Sequence, residues 1–264
     1  MKARKVFARI LAVLFLIFLL MPFLGMLVFS VFSRWPMDSL LPQTPTFRGF
    51  TAFFSKDAGN ALSTALFSVA VGLTTLVIGI PAAKGLAGLK GPLKAVLDVI
   101  LVLPMLLPVV SVSIGSHKLF LAFRLTGSVP VFIMHLYFSL PYAFKILYSA
   151  YRALGNSFGV TARNLGAGPV RSFLYVEAPV FLPAYTSAFI MGFVVSYSQY
   201  FINLLLGGAK NMNYSVILSQ LLTGSDRHLA SVYSLMYLLF GGVAVGLAFL
   251  VRSLAERRVK YGRA

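Results

Sequence analysis

The sequence predicts an all-α membrane protein with six transmembrane helices and both termini in the cytoplasm. Hydrophobic residues make up 59% of its 264 residues and charged residues only 11%, whereas a soluble globular chain carries about 25% charged residues. Six apolar segments reach the length of about 20 residues that a helix needs to cross a bilayer. Basic residues are concentrated beside these segments on one side. We expect a single domain over residues 1–264, because no repeat or low-complexity tract divides the chain.

The six predicted spans are apolar runs separated by more polar segments. The first follows a basic N-terminus, and its apolar run from Ile10 to Phe32 is too long for the core of a typical signal peptide. We therefore expect it to remain in the protein as an uncleaved span. Prolines lie inside or at the ends of several spans, where each removes a backbone donor and favours a kink. The predicted spans are residues 8–32, 61–83, 95–115, 129–150, 184–206 and 229–251.

The distribution of basic residues predicts the orientation. Clusters of Lys and Arg precede the first span and follow the last, and an even number of spans puts both termini on one side. Because cytoplasmic loops are enriched in Lys and Arg, this side is predicted to be the cytoplasm. The net charge of +17 is then a consequence of topology, and we expect no nucleic-acid partner, because no basic stripe with interleaved aromatic residues lies outside the flanks of the spans. The basic residues assigned to the outer side are Arg34, Arg48, Lys56, Lys118, Arg124, Lys210 and Arg227.

A largely polar loop, residues 151–183, separates the fourth and fifth predicted spans. A mere connector between spans can be far shorter, so a loop of this length suggests that a partner docks there. Its first part, residues 157–164, suits a short helix. Phe158, Ala162 and Leu165 would form a narrow apolar face, because they lie at positions i, i+4 and i+7. We expect this face to need a partner.

The second part of the loop carries a turn signal. Gly166 allows a positive-φ turn that a residue with a Cβ would resist. Pro169 suits the first turn of a second short helix that runs through Phe173. Pro179 and Pro183 are then expected to break the chain before the fifth span. The predicted result is a helix-turn-helix on the inner surface of the membrane.

The spacing of residues in this loop resembles that of the EAA loop in ABC-importer permeases. The matching residues are Leu165, Gly166, Ala167, Phe173, Val176, Pro179 and Pro183. Thr161 and Ala162 stand where the family has two alanines, whereas Val160 replaces the glutamate that gives the motif its name. A charge pair from that glutamate cannot form, so Arg163 or packing by Phe158 would have to compensate. The last half of the chain also resembles the permeases of spermidine/putrescine, thiamine and ferric-iron importers.

This resemblance implies a transport function with several partners. In the family, two permease subunits, identical or homologous, work with two ATPase subunits and an extracytoplasmic substrate-binding protein. The loop would follow ATPase closure, and a small solute, polyamine-like or thiamine-like, would enter the cytoplasm by alternating access. The protein would lie in the bacterial inner membrane as a multi-pass component in contact with lipid. The implied ATPase-coupling residues are Phe158, Thr161, Ala162, Arg163, Leu165, Gly166, Ala167 and Phe173.

A cluster of polar residues in the fifth predicted span indicates a path for the solute, because polar groups in a span usually face protein or water rather than lipid. A helix that rises from the inner face places this cluster in the outer half of the membrane. Its members share one helical face, and a histidine on the fourth span could join them. The predicted pathway residues are Ser196, Gln199, Tyr200, Asn203 and His135. The alternative is that these groups only form interhelical hydrogen bonds that hold the bundle together.

An intramembrane serine hydrolase is the alternative function that the sequence offers. Residues 155–159 match G-x-S-x-G, the nucleophile-elbow pattern, with Ser157 at the centre and His135 upstream. That pattern requires a strand before the turn, and a helical chain would separate His135 from Ser157 by about 33 Å. We therefore expect no catalytic residue. The chain also lacks nucleotide-binding and zinc motifs, so we expect ATP hydrolysis on a separate subunit, and neither a cofactor nor a metal ion.

Overall fold

The computed structural model describes residues 2–36, 39, 42–155, 157–208 and 213–261. Within these ranges, five helices are long and apolar enough to cross a membrane, or six if one strongly bent pair is counted as a single span. Apart from one short two-stranded hairpin, the regular structure of the described residues is helical. The predicted all-α class is therefore confirmed, whereas the orientation of the termini stays a prediction.

Twelve α-helices and two strands are found in the described part of the chain. They are α1 Lys2–Val31, β1 Phe32–Arg34, β2 Gln43–Pro45, α2 Arg48–Lys56, α3 Ala58–Gly88, α4 Pro92–Leu106, α5 Val109–Ala122, α6 Ser128–Leu154, α7 Ser157–Asn164, α8 Pro169–Ser172, α9 Ala178–Tyr197, α10 Tyr200–Leu206, α11 Tyr214–Thr223 and α12 Arg227–Tyr261. A π-helical stretch, Phe173–Glu177, joins α8 to α9. The first predicted span, 8–32, corresponds to α1. The predicted spans 61–83, 129–150 and 229–251 correspond to α3, α6 and α12, each of which extends beyond the predicted bounds at both ends.

The third predicted span, 95–115, is not a single helix. Its residues are divided between α4 and α5, which are bent by 103° relative to each other. The break falls at Leu107 and Pro108, and Leu107 has extended backbone angles of φ −88° and ψ 137°. A residue before proline is disfavoured in the helical region because the proline ring clashes with its backbone and Cβ. Pro108 therefore explains the break, and the prediction of one continuous helix is corrected.

The fifth predicted span, 184–206, is also divided. Helix α9 ends at Tyr197 and α10 begins at Tyr200. Between them Gln199 leaves the helical region, with φ −80° and ψ 88°. The side-chain spacing of a single helix therefore does not hold across residues 198 and 199, which corrects the second prediction of a continuous span.

Pro179 and Pro183 do not break the chain, contrary to the prediction. Helix α8, the π-helical stretch and α9 form one helical run, Pro169–Tyr197, of 29 residues. Pro179 lies in the first turn of α9, and membrane helices tolerate an interior proline such as Pro183 because neighbouring groups satisfy the freed backbone carbonyl. Most of the described residues in the predicted loop 151–183 are therefore helical.

Residue contacts divide the chain into two compact units. The first unit comprises Met1–Ala61 and Ile217–Leu239, and the second unit comprises Leu62–Val216 and Phe240–Ala264. Helices α3, α11 and α12 each contribute residues to both units. The expectation of a single domain stays a prediction.

His228 joins three helices of the first unit. Its buried ring accepts a hydrogen bond at Nε2 from the backbone N–H of Gly49 at 3.0 Å. Its Nδ1 lies 3.0 Å from the carbonyl oxygen of Phe29. A carbonyl oxygen can only accept, so the ring proton lies on Nδ1 and the imidazole links α1, α2 and α12. The segment between the first two predicted spans contains the β1–β2 hairpin and α2.

The second unit has its core between α6 and α9, where Leu147 and Phe181 are buried. Helix α3 approaches α9 through two glycines. A Cβ on Gly192 would lie only 3.3 Å from the Cα of Gly72. Small residues at a crossing allow helix backbones in a membrane to come into contact. These two glycines therefore set the distance between α3 and α9.

Candidate functional site

The turn between α7 and α8 is a Schellman motif. Gly166 has a φ of +87°. The N–H of Gly166 donates to the carbonyl oxygen of Arg163 at 2.9 Å, and the N–H of Ala167 donates to that of Ala162 at 3.0 Å. These two bonds satisfy carbonyl groups at the end of α7, and Pro169 then begins α8. The helix-turn-helix predicted from Gly166 and Pro169 is therefore present as the α7–α8 hairpin.

The α7–α8 hairpin packs against the protein through its small residues. Gly159 and Ala162 are buried, and the hydroxyl of Ser172 donates to the carbonyl oxygen of Gly159 at 3.2 Å. Leu165 is 85% exposed, and Phe158 is also exposed. The predicted face of Phe158, Ala162 and Leu165 is therefore corrected. Helical spacing alone does not show which side of a helix has a neighbour, and Ala162 faces the protein while the two larger residues do not.

The hairpin region exposes several apolar side chains, which we call the hairpin patch. The patch consists of Phe158, Val160, Leu165, Val170 and Leu174. Single exposed apolar residues are ordinary on protein surfaces, whereas several on one rigid element indicate an interaction surface. The α7–α8 hairpin and the first residues after it therefore present several apolar side chains at the surface.

The other predicted coupling residues have different surroundings. Thr161 and Arg163 are exposed, and Ala167 is half-buried. Phe173 is half-buried, and its ring stacks against that of Tyr185 with the centroids 6.4 Å apart. Phe173 therefore joins the π-helical stretch to the core, whereas Thr161 and Arg163 are available at the surface.

A buried acidic residue that sequence analysis did not single out lies just after the hairpin. Glu177 is 3% exposed, and its Oε2 is 2.5 Å from the Nζ of Lys84 on α3. Its Oε1 accepts a hydrogen bond from the hydroxyl of Tyr151 on α6 at 2.7 Å, and that hydroxyl lies 2.7 Å from the hydroxyl of Tyr185 on α9. We call these four residues the Glu177 network. A carboxylate beside an apolar span needs a partner. The position of Glu177 close to the fifth predicted span was therefore the signal in the sequence for this network.

His135 and Ser196 form a buried polar pair. The Nδ1 of His135 is 2.9 Å from the hydroxyl of Ser196, and the ring of Phe67 contacts the imidazole edge-on at a centroid distance of 5.1 Å. The Nε2 of His135 and the hydroxyl of Ser139 have no hydrogen-bond partner among the described residues. The imidazole is bonded to Ser196 and not to Ser157, so the geometry gives the serine-hydrolase alternative no support.

Asn203 lines a small cavity of about 150 Å³ in the second unit. Its side-chain amide donates to the carbonyl oxygen of Gln199. On the same cavity, the hydroxyl of Thr64 accepts from the N–H of Tyr214 at 2.9 Å and donates to the Oδ1 of Asn213 at 3.1 Å. The lining residues are Ser63, Thr64, Phe67, Ser128, Val131, Asn203 and Asn213.

The predicted single polar face of the fifth span is corrected by the break between α9 and α10. Ser196 belongs to α9, whereas Asn203 belongs to α10. Gln199 and Tyr200 are half-buried at the break and do not line the cavity. Thr64 lines the cavity but was not among the predicted pathway residues, although it is a polar residue near the end of a predicted span and meets the criterion that selected the others.

The comparisons with known proteins identify a family of transport proteins. The model of the family described as "Binding-protein-dependent transport system inner membrane component" matches residues 75–261. The matched interval includes the α7–α8 hairpin, the Glu177 network and the His135–Ser196 pair. Members of this family are permease subunits and not enzymes themselves, so the serine-hydrolase alternative is set aside.

Several curated relatives are transport permeases. The chain is 28% identical over 203 residues to the molybdenum transport system permease protein ModB of Azotobacter vinelandii, across 71% of this chain and 88% of that protein. It is 28% identical over 194 residues to the trehalose transport system permease protein SugB of Mycobacterium tuberculosis, across 71% of this chain and 70% of that protein. A spermidine/putrescine transport system permease protein PotC homolog of Mycoplasma pneumoniae is 26% identical over 153 residues, 54% of each chain.

The family match extends over well more than half of the chain, and the long apolar helices agree with it. The resemblance to ABC-importer permeases is thereby confirmed at the level of the family. The chain therefore belongs to the family of binding-protein-dependent transport system inner membrane components, the permease subunits of ABC importers, and is a multi-pass protein of the bacterial inner membrane.

Proposed function

We propose that the α7–α8 hairpin lies in the cytoplasm and docks a separate ATPase subunit. The observation that carries the proposal is a rigid, Schellman-capped hairpin with exposed apolar side chains. Covering apolar surface contributes about 25 cal/mol per Å², and Leu165 at the turn, 85% exposed, has most of its surface to cover. Apolar contact through Leu165 and Phe158 would then replace the charge pair that Val160 cannot make.

The proposed assembly contains two permease subunits, identical or homologous, two ATPase subunits and an extracytoplasmic substrate-binding protein. Closure of the ATPase subunits moves the hairpin. The Glu177 network joins the helical run behind the hairpin to α3 and α6, so the spans follow the movement. Solute released by the binding protein then enters the cytoplasm by alternating access.

Leu165→Asp tests the docking role of the hairpin. The Leu165 side chain is almost fully exposed, so the variant is expected to fold and insert normally. A carboxylate is costly to desolvate in an apolar interface, and we expect stimulation of ATP hydrolysis by loaded binding protein to fall at least about tenfold. Copurification of the ATPase subunit should fall as well.

Leu89→Asp is the matched control for this variant. Leu89 is an exposed leucine in the connection from α3 to α4, which the predicted topology places on the same side as the hairpin. Its replacement should leave stimulation close to the wild-type level. Normal stimulation and normal uptake in Leu165→Asp would contradict the docking role.

We further propose that the solute path includes the His135–Ser196 pair and the cavity at Asn203, with Gln199 and Tyr200 beside it at the break in the fifth span. Buried polar groups in a span are costly unless they meet protein, water or solute. The unpaired Nε2 of His135 is therefore available to a polar molecule during transport. The single polar face predicted from one continuous helix is not needed for this path.

The solute that we propose is small and polar, without a high positive charge. The described lining of the cavity offers hydroxyl and amide groups, and no carboxylate occurs in it. A polycation would need acidic partners or several aromatic ones, and the lining offers a single aromatic ring, that of Phe67, so the polyamine-like or thiamine-like solute implied by the resemblance gains little support from the lining. The names of the relatives refer to molybdenum, spermidine/putrescine and trehalose, and they do not select one class.

Asn203→Ala tests the path. We expect a several-fold change in uptake affinity or in the competition between solutes, because the variant removes an amide from the cavity. The hydrogen bond described for Asn203 is a local one to the carbonyl oxygen of Gln199, and even an interhelical bond in a membrane averages only about 0.6 kcal/mol, so thermal stability should stay close to that of the wild type. Uptake with several competing solutes, measured beside the melting temperature, decides between a path and a purely structural role.

Ser187→Ala is the control for the path variant. The hydroxyl of Ser187 is exposed and bonds to the carbonyl oxygen of Pro183 within its own helix, so its removal should change neither uptake nor selectivity. An unchanged competition profile together with lowered stability in Asn203→Ala would rule out the path and favour hydrogen bonds that only hold the bundle.

A further inference from the structure

Basic residues are scarce on the outer side of the predicted topology, yet three of them meet at one pocket. This pocket, which we call the arginine pocket, lies in the first unit and has a volume of about 540 Å³. It is lined by Phe29, Ser33, Arg34, Trp35, Arg48, Ser225, Asp226 and Arg227. The positive-inside tendency acts against basic residues at this position, so their concentration in one pocket requires another explanation.

Fixed elements of the first unit hold the arginine pocket open. Arg34 lies on β1, where it pairs in register with Gln43 of β2. The Nη2 of Arg48 lies 2.5 Å from the Oδ2 of Asp226, and the Oδ1 of Asp226 accepts from the N–H of Leu229 at 3.1 Å. Asp226 thus caps α12 and orients Arg48 at the same time. The pocket is therefore organised by bonds within the protein.

Two of the three arginines retain an uncompensated charge. Asp226 pairs with Arg48, whereas Arg34 and Arg227 form no ion pair with any residue that the structure describes. Arg227 also begins α12, where the positive end of the helix dipole opposes a cation and favours an anion. Asp38 lies outside the described residues, and the pocket stays positive even when its charge is counted. An anionic group is therefore the ligand that the pocket favours.

The aromatic part of the pocket suits a protein ligand. Trp35 is 41% exposed and contacts Phe29 with the ring centroids 5.7 Å apart. Trp and Arg are the residue types that most often dominate binding energy at protein interfaces. Phe29 and Trp35 are the apolar members of the lining, and the other lining residues are polar or charged, so the pocket offers little surface for the acyl chain of a lipid.

We propose that the arginine pocket docks acidic side chains on the surface of the substrate-binding protein. Arg34 and Arg227 each donate to a carboxylate, with the two-pronged geometry that a guanidinium provides. The site rests on the proposed function, because it requires the pocket to face outward in an importer served by a binding protein. Charge complementarity of this kind raises the rate of encounter and fixes orientation. The pocket thereby positions the binding protein over the permease.

Charge reversal at the two unpaired arginines tests the site. Arg34→Glu and Arg227→Glu are introduced separately into the assembled transporter in lipid nanodiscs, and ATP hydrolysis is measured against the concentration of the binding protein that stimulates the wild type. We expect the half-maximal concentration to rise about tenfold or more, with the basal rate unchanged. Added salt should raise the half-maximal concentration of the binding protein more for the wild type than for either variant. Arg34→Gln, which removes the charge with little change in size, should give a smaller shift and guards against misfolding.

Lys56→Glu is the matched control, because Lys56 is an exposed basic residue of the same unit outside the pocket lining. An equal shift of the half-maximal concentration in this control would indicate general electrostatic attraction and would overturn the site. An unchanged half-maximal concentration in both arginine variants would also overturn the site. Loss of activity that depends on phosphatidylglycerol content, with normal titration by the binding protein, would assign the pocket to a lipid headgroup instead. A wild-type assembly that no binding protein stimulates would contradict the proposed function itself.

Discussion

Gly192→Leu is expected to prevent the second unit from folding correctly, because it forces α3 and α9 apart. The added Cβ would lie 3.3 Å from the Cα of Gly72 and 3.4 Å from the Cβ of Thr75, and the remaining atoms of leucine would find no space. Overpacking in a well-packed core costs about 1–3 kcal/mol and occasionally more, and here the obstacle is backbone, which cannot rotate away. The yield of monodisperse protein in detergent should fall to a small fraction of the wild-type yield.

Gly192→Ala and Gly242→Ala complete the experiment. The first adds only the Cβ and should lower the melting temperature with part of the yield retained. A Cβ added to Gly242 would enter open space, and glycine is disfavoured in a helix by about 1 kcal/mol relative to alanine, so its replacement by alanine should be neutral or stabilising. Equal yields of Gly192→Leu and Gly242→Ala would show that α3 and α9 do not cross at these glycines.

Glu177→Ala is expected to lower the free energy of unfolding by about 2–4 kcal/mol, since it leaves Lys84 and the hydroxyl of Tyr151 without their partner. The loss should stay below the upper range for buried pairs because the Lys84 side chain is 30% exposed and can still reach water. Unfolding of the purified wild type and variant in mixed micelles with increasing SDS measures the difference in their free energies of unfolding. Glu177→Gln should give an intermediate loss, because an amide keeps the hydrogen bond from Tyr151 but not the charge.

Glu256→Ala is the matched control for the Glu177 network. It removes the exposed ion pair between Arg252 and Glu256, whose Nε and Oε1 atoms are 2.7 Å apart. Exposed pairs within a helix contribute about 0.3–0.5 kcal/mol, so the free energy of unfolding should hardly change. An equally small decrease in the free energy of unfolding for Glu177→Ala and Glu256→Ala would show that Glu177 does not hold the helices together.

The sequence predicted unbroken spans better than broken ones. Helices α3, α6 and α12 were found because each is one long apolar run. The break at Leu107 could also have been found, since the residue before a proline is disfavoured in a helix. The break at Gln199 has no such signal, because neither glycine nor proline stands beside it. It is a feature of tertiary packing and not of local preference.

The same limit applies to the candidate site. Gly166 predicted the turn because a positive φ is a local property of one residue. The Glu177 network could not be assembled in the same way, since Lys84 is 93 residues and Tyr151 is 26 residues away from Glu177 in the chain. The inward position of Ala162 also depends on the neighbours of α7, which include the π-helical stretch, and that stretch was not predicted from the sequence.

The helical run from Pro169 to Tyr197 has the proportions of a lever with unequal arms. At 1.5 Å per residue, about 35 Å separates its crossing point with α3 at Gly192 from Pro169, but only about 6 Å separates Gly192 from Ser196. A rod that turns at Gly192 would reduce a displacement at the hairpin about sixfold at Ser196 and multiply the force by the same factor. The 2.9 Å contact of Ser196 with His135 would then open through a fraction of an ångström under a large force.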